Sequence, residues 1–229
     1  HRNQNSSDPQ PIIIVGIGET ADIAHEYFSV DEQYDVVAFS VSAEYKKTDT
    51  YQNKPLIALE NLSDVFPSDQ YKVFVALSSG RLNRDRQSMY DQIKQQGYSC
   101  VSYISPRAFV WRTASIGENC FIFENVTIQH GVSIGNNVTV WSNSCIAHQS
   151  EVGDHVFIAP GCMICGYAKI GSFCFIGANT VFADHATIGD NSFVGMGSVI
   201  SKTIASHAFV RPAKPFVVPF DRHFLEDRS

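Results

Sequence analysis

From Ile116 onward an aliphatic residue returns at every sixth position. The series runs Ile116, Ile122, Ile128, Ile134, Val140, Ile146 and onward to Ile200; of fifteen successive positions only Phe182 is not Ile or Val. A helix repeats every 3.6 residues and a strand every two, so neither explains six. Six is the period of the hexapeptide β-helix, in which short strands turn corners and stack coil upon coil. The residues four places after each aliphatic, from Cys120 and Val126 to Ser192 and Ser198, are small or medium, as a crowded interior requires. A longer period overlies the first. Gly117, Gly135, Gly153, Gly171 and Gly189 recur every eighteen residues, so three hexads make one triangular coil. A glycine on one corner of every coil predicts either positive φ or close backbone approach. Asn119, Asn137 and Asn191 add turn residues nearby. Residues 116–201 thus predict about five coils, a prism roughly 24 Å long at ~4.8 Å per coil. Hexapeptide helices are usually left-handed, against the general right-handed crossover preference.

Residues 11–104 follow another pattern. PIIIV (11–15) reads as a strand buried on both faces. A helical stretch runs to about Phe28, and YDVVAFSV (34–41) is a second strand. PLIALENL (55–62) holds a short strand and the start of a small helix, and YKVFVALS (71–78) is a further strand. Residues 82–97 form an amphipathic helix ended by Gly97, and SCVSYIS (99–105) closes the series. Alternating strands and helices predict a small parallel α/β domain. The expected organisation is a disordered tail at 1–10, an α/β domain at 11–105, a β-helix at 106–204 and an extension at 205–229. In that extension the proline-punctuated FVRPAKPFVVPF (209–220) is expected to leave the coils.

Composition narrows the functional classes. The chain is 44% hydrophobic and 17% charged, as in ordinary globular domains. The net charge of -6 and the lack of a Lys/Arg stripe argue against a nucleic-acid partner. No apolar run approaches the ~20 residues that span a bilayer, and no signal-peptide core stands at the start. Cys162 and Cys165 make a lone CxxC with no second pair, so no metal site is expected. Reduced thiols in a cytoplasmic protein are the expected state.

The eighteen-residue period turns sequence distance into stacking. His130, His148, Gly166 and Asp184 fall in one column. A histidine one coil from a glycine, whose amide no side chain covers, pairs a proton acceptor with an oxyanion donor, the minimum for acyl transfer. Surface side chains at a turn fit the same column, and the repeat alone leaves both readings open. In the first domain, Gly16-Ile17-Gly18-Glu19-Thr20-Ala21 follows a strand and opens a helix, the context of a phosphate-binding turn. The acid that a dinucleotide fold needs after the second strand is missing; Ser40-Val41-Ser42 stand there. Ser78, Ser79, Gly80 and Arg81 follow another strand's carboxyl end, where α/β ligands gather; Arg81 fits either a phosphate contact or a solvated loop arginine.

The layout resembles the hexapeptide-repeat nucleotide-sugar acetyltransferases, including the bacillosamine-pathway N-acetyltransferases and the sialic-acid O-acetyltransferase-like proteins. IIIVGIGETADIA, SYISPRAFV, IAHQSEVGDHVFIAPG and RPAKP carry the resemblance, across nearly the whole chain. It implies that His148 is the general base and the Gly166 amide the oxyanion donor. An acid usually follows the base in that family; here the residue is Gln149, so the resemblance leaves orientation to Gln149, and either Glu151 or Asp154 supplies the charge or the base works without it. Phe157 stands where bacillosamine-type enzymes have a histidine. The resemblance also implies a homotrimer, with acetyl-CoA between neighbouring subunits and a nucleotide-linked sugar on the first domain. Gly177, Ala178, Gly195 and Gly197, further along the prism, are the expected approach for CoA; tight coil corners explain the same residues. Gly16, Gly18, Glu19, Thr20, Ser78 and Arg81 are the expected contacts to the nucleotide sugar. Three functions follow in order: N-acetylation of a nucleotide-linked amino sugar in bacterial surface-glycan synthesis, O-acetylation of a sugar hydroxyl, and a non-catalytic β-helix scaffold.

Overall fold

The computed structural model describes residues 8–214. Its first part is a five-stranded sheet: β1 (Gln10–Val15), β2 (Tyr34–Val41), β3 (Thr50–Tyr51), β4 (Lys54–Ala58) and β5 (Lys72–Val75), in the order β3-β4-β2-β1-β5. All pairs are parallel except the β3–β4 hairpin. Helices α1 (Glu19–Ser29), α2 (Leu62–Val65) and α3 (Arg84–Gln95) complete the domain. The central strand behaves as PIIIV predicts. Ile12, Ile13, Ile14 and Val15 are fully buried. Ile12 and Ile14 pack with Phe28, Phe39 and Phe74 on one face, while Ile13 and Val15 pack with Leu62, Tyr90 and Ile93 on the other.

Two boundaries differ from expectation. The segment 99–105 does not close the α/β series as a strand. Cys100 makes a single bridge to Val73, and Tyr103–Ile104 already pairs with Phe121–Ile122 as the first rung of the prism. At the far end Phe209–Val210 still pairs with Phe193–Val194, so the coils reach into the stretch expected to leave them. What decides this is a shortened last coil, in which Val199–Ile200 is followed almost at once by Thr203–Ile204. Residues 1–7 and 215–229, the outer parts of the expected tail and extension, lie outside the described residues.

The prism is a parallel β-helix of two-residue strands stacked into three walls. One wall turns aromatics outward: Tyr103, Phe121, Phe157, Phe175, Phe193 and Phe209, with Thr139 among them. A second presents Phe109, Thr127, Cys145, Met163, Val181 and Val199. The third presents Ser115, Ser133, Glu151, Lys169, Thr187 and Thr203. We refer to them as the aromatic, aliphatic and polar walls. Inside, the sixth-position aliphatics and the small residues four later form one continuous core. Its buried hydroxyls are satisfied by main-chain carbonyls: Ser144 donates to Ala159, Ser150 to Cys165 and Thr180 to Gly177. The CxxC pair is split by this geometry. Cys162 points into the core and Cys165 is half-buried, and all six cysteines are unpaired.

The corners settle what the periodic glycines do. From Asn119 to Gly197 every sixth residue has φ between 55° and 73°, the left-handed region. Asparagine and glycine hold many of these places because they tolerate that conformation. The eighteen-residue glycines are not among them; their requirement is space. A Cβ on Gly153 would lie 2.7 Å from both the main-chain N and the Oγ of Ser172 on the next coil. By contrast, Gly197 has φ +70° and, among the described residues, nothing within 4 Å of where a Cβ would stand.

Helix α3 docks the first domain onto the polar–aromatic edge. Arg86 is fully buried, with no carboxylate among the described residues bound to it. Its guanidinium donates to Asn137 Oδ1 at 3.1 Å, to the Ser78 carbonyl at 2.9 Å, and to the carbonyls of Asn137 and Val156. Burial lowers its pKa to about 10, which still leaves it charged at neutral pH. Arg84 lies over the Phe173 ring at 3.5 Å, and Asn83 donates to the Cys174 carbonyl. Asn119 accepts the Val75 N–H at 2.7 Å and donates to the Val75 carbonyl at 3.2 Å, so a prism side chain completes the sheet edge. No helix among the described residues is long and apolar enough to cross a membrane.

Two glycine substitutions separate the two requirements. Gly153→Ala forces coil against coil and is expected to destabilise the protein by about 1–3 kcal/mol. Gly197→Asn places a left-handed-tolerant residue in open space and is expected to change stability by less than about 0.5 kcal/mol. Urea unfolding midpoints of the two variants measure both.

Candidate functional site

The column of His130, His148, Gly166 and Asp184 occupies the aliphatic–polar edge, one residue per coil. The His148 ring lies parallel to that of His130, with centroids 5.7 Å apart and planes at 11°. Tyr167 meets its other side edge-on at 5.4 Å. Tyr167 in turn stacks on His185. The imidazole reaches over Gly166: a Cβ there would lie 2.6 Å from His148 Nε2. Only glycine leaves room for the ring.

Orientation of the ring falls to a residue that pattern reading passed over. The His148 N–H donates to Gln129 Oε1 at 3.0 Å, and His148 Nδ1 lies 3.4 Å from the same oxygen. The main-chain donor fixes which end of the Gln129 amide faces the histidine. An oxygen there calls for a proton on Nδ1, which leaves a lone pair on Nε2, in the plane of a ring whose face lies over Gly166. Gln149, expected in this role, is turned elsewhere. It is a corner residue with φ 58°, and its amide lies over Gly131, where a Cβ would come within 2.5 Å of Nε2. Glu151 is paired with Lys169 at 2.9 Å on the polar wall. Asp154 accepts the Asn136 N–H on the polar–aromatic edge. The one trace of Gln129 in the sequence is its offset of nineteen from His148, one coil plus one residue.

A second correction concerns Gly166. Its N–H is not bare: it donates to Asp184 Oδ1 at 2.9 Å. The donor expected to receive an oxyanion is held by a carboxylate one coil on.

The residues expected to contact CoA stand on a different edge, between the aromatic and aliphatic walls. A Cβ on Gly177 would meet the Met196 N at 2.5 Å, and one on Gly195 would meet Pro212 Cδ at 2.8 Å, so coil stacking accounts for both. Gly197 is exposed and open, and Ala178 is half-buried beside it, accepting the Gly197 N–H through its carbonyl. Met196 and Val199 are both 70% exposed nearby.

The same edge borders a cleft between the two domains. It is lined by Thr20 and Ile23 of α1, Leu77 and Ser78 beyond β5, and Phe123, Thr139, Trp141 and Phe157 of the prism. Thr20 and Ser78 are therefore brought to one crevice. Phe123 and Trp141 stack at 4.1 Å, and Phe157 stacks on Phe175 at 5.2 Å. The buried Trp141 Nε1 has no hydrogen-bond partner among the described residues, and it is a donor that no repeat position announces. In the glycine turn both glycines have positive φ, Gly16 at +129° and Gly18 at +122°. A Cβ on Gly16 would strike the Ala76 carbonyl at 2.8 Å, whereas Gly18 is open. The Gly18 N–H, however, donates to the Tyr51 hydroxyl, which donates to Asp22. Glu19 and Asp22 put two acids in the first helical turn. Arg81 is exposed and paired with Asp85, not free for a phosphate. Among the described residues no cluster of His, Cys, Asp and Glu is arranged to hold a metal.

Comparison with known proteins places this geometry. The family model described as the GMPPB C-terminal domain matches residues 104–213, the coiled part. No curated protein sequence matches. Among solved structures, the acetyltransferase domain of PglB from Neisseria gonorrhoeae FA1090, in complex with acetyl coenzyme A, superposes with a TM-score of 0.77 at 23% identity, covering 91% of this chain and all of that one. PerB from Caulobacter crescentus, in complex with CoA and GDP-perosamine, gives 0.76 at 22% identity, covering 87% of this chain and 92% of that one. WeeI from Acinetobacter baumannii AYE gives 0.70 at 20% identity, covering 87% and 95%. The chain has the fold of these proteins: a short α/β domain followed by a left-handed hexapeptide-repeat β-helix.

The assignment of Gln129 is tested without any substrate. In ¹⁵N NMR spectra, Gln129→Ala is expected to mix the two neutral tautomers of His148. Gln149→Ala is expected to leave the wild-type tautomer in place; a shift of equal size in both variants removes Gln129 from this role.

Proposed function

We propose that the chain is an acetyl-CoA-dependent N-acetyltransferase acting on a nucleotide-linked amino sugar of the kind built into bacterial surface glycans, and that it works in the cytoplasm as a homotrimer. The observation that carries this reading is the His148 imidazole seated over Gly166, its Nε2 free to accept a proton. The similar proteins crystallised with acetyl coenzyme A, or with CoA and GDP-perosamine, support the choice of donor and acceptor class.

The aliphatic wall supports the assembly. Phe109, Met163, Val181 and Val199 are between 38% and 70% exposed along it. Among the described residues nothing covers them, whereas the first domain covers much of the aromatic wall. This wall also separates the two groups of candidate residues. His148 stands on one of its edges, and Gly197 and the Trp141 cleft on the other. Packing that wall against another copy brings the base of one subunit toward the cleft edge of the next, and a ring of three closes the contact.

In this reading the acyl thioester supplies an activated acetyl group. Gly197, Ala178, Met196 and Val199 offer a small-residue and apolar strip for its pantetheine arm. Thr20 and Ser78 offer polar groups to the nucleotide sugar. His148 Nε2 takes a proton from the acceptor amine, an effect typically worth ~10²–10⁴-fold. Gln129 holds the imidazole in the tautomer that permits this. The Gly166 N–H faces the charge developing on the carbonyl oxygen, typically worth ~10²–10³-fold, once Asp184 has released it.

Free thiol release from acetyl-CoA, measured with a panel of GDP-, UDP- and dTDP-linked amino sugars, tests the activity. His148→Ala is expected to lower kcat at least about a hundredfold with an unchanged melting curve. A near-normal rate in that variant removes His148 from the mechanism, and release only with hydroxyl acceptors supports O-acetylation in place of this reading. Met163→Asp with Val181→Asp is expected to convert a trimer to monomers in sedimentation velocity and to abolish turnover.

A further inference from the structure

The Gly166 N–H faces two competitors. One is the oxyanion it would stabilise, and the other is the carboxylate that holds it at 2.9 Å. A carboxylate and an oxyanion cannot share one donor without strong repulsion in a partly buried site. Something has to draw Asp184 away as the acyl group arrives, and the acceptor itself carries the charge to do so. An amino sugar at neutral pH is largely an ammonium ion, since even amines beside electron-withdrawing groups, such as the α-amino group, titrate above 7.

We propose that Asp184 is the acceptor-recognition residue: its carboxylate receives the ammonium group of the incoming amino sugar and, in turning to it, uncovers the Gly166 N–H. This deepens the activity proposed above and rests on it. Three observations converge. Asp184 is exposed, so a ligand reaches it. It has no cationic partner within the chain among the described residues. It also shares a neighbour with the imidazole: His148 lies where a Cβ on Gly166 would stand, and Asp184 holds the N–H of the same residue. An ammonium held there is delivered beside Nε2. It gives one proton to Nε2 and becomes a neutral amine. Its lone pair forms the N–C bond as the C–S bond breaks, the thiolate leaves, and the second proton passes to the thiolate. A hydroxyl acceptor brings no positive charge and leaves Asp184 where it stands. The same carboxylate thus selects amines over alcohols.

A purely structural role has a matched control. Asp190 accepts the Ser172 N–H on another edge with the same eighteen-residue offset. Asp184→Asn keeps an oxygen for the Gly166 N–H but removes the charge, so the coil contact survives. With the amino sugar that the wild-type protein acetylates, thiol release is expected to show KM for the acceptor raised about tenfold or more in Asp184→Asn. KM for acetyl-CoA should be unchanged. Asp190→Asn should match wild type in both. An acceptor KM within twofold of wild type in Asp184→Asn overturns the proposal, as does an equal rise in Asp190→Asn. If wild type releases no thiol with any amine in the panel, the acetyltransferase reading itself fails and takes this proposal with it; an active wild type beside a normal Asp184→Asn sinks the proposal alone.

Discussion

Every coil of the prism depends on its neighbours for hydrogen bonds. The strands are two residues long, and their amides find carbonyls eighteen or so residues away, on the next turn of the chain: Thr139 to Val156, Phe157 to Cys174, Phe175 to Ser192. A single coil would bury little and satisfy nothing, so stability accumulates only by stacking. Stacking demands two things at once. Each corner must turn through the left-handed region, and adjacent coils must approach closely on one edge. Bulky residues meet the first demand at a cost, as Tyr167 and Phe173 do at φ 58° and 57°. The second demand tolerates no Cβ at all.

That rigid column is what gives the candidate site its precision. His148 and Gly166 are adjacent because the register leaves them no other relation, and Asp184 follows from the same arithmetic. The register also constrains the first domain, which shares a core with the prism through Tyr103, Phe121 and Phe123. Its α3 is pinned by Arg86, whose charge sits among four carbonyl and amide oxygens. Removing such a group leaves those acceptors buried and unmet. The interdomain cleft therefore has walls on two elements that cannot drift apart independently.

Much of this was legible from spacing alone. Periods of six and eighteen predict the walls, the core and the column, because they are translational and need no knowledge of side-chain direction. What spacing cannot carry is direction. Gln149 and Gln129 are both near His148 in the coiled chain, but the positive φ at Gln149 swings its amide over Gly131, while Gln129 lies on the strand side and reaches the ring. The capping of Gly166 by Asp184 is visible as a column in the sequence and invisible as a bond. The glycine turn at residues 16–18 has positive φ at both glycines, yet the hydroxyl of Tyr51, from a hairpin with no strong pattern, takes the Gly18 N–H. Arg81 looks free in the sequence because Asp85 matters only once α3 brings it within reach.

The clasp of Asn119 on Val75 has an effect beyond joining the domains. β5 is the last strand of its sheet, and Val73 spends its outward groups on Ser99 and Val101. With both main-chain groups of Val75 taken by one side-chain amide, that border offers no unpaired ladder to a passing chain. The border is sealed against self-association by β-addition, the hazard that open sheets usually counter with charge or proline.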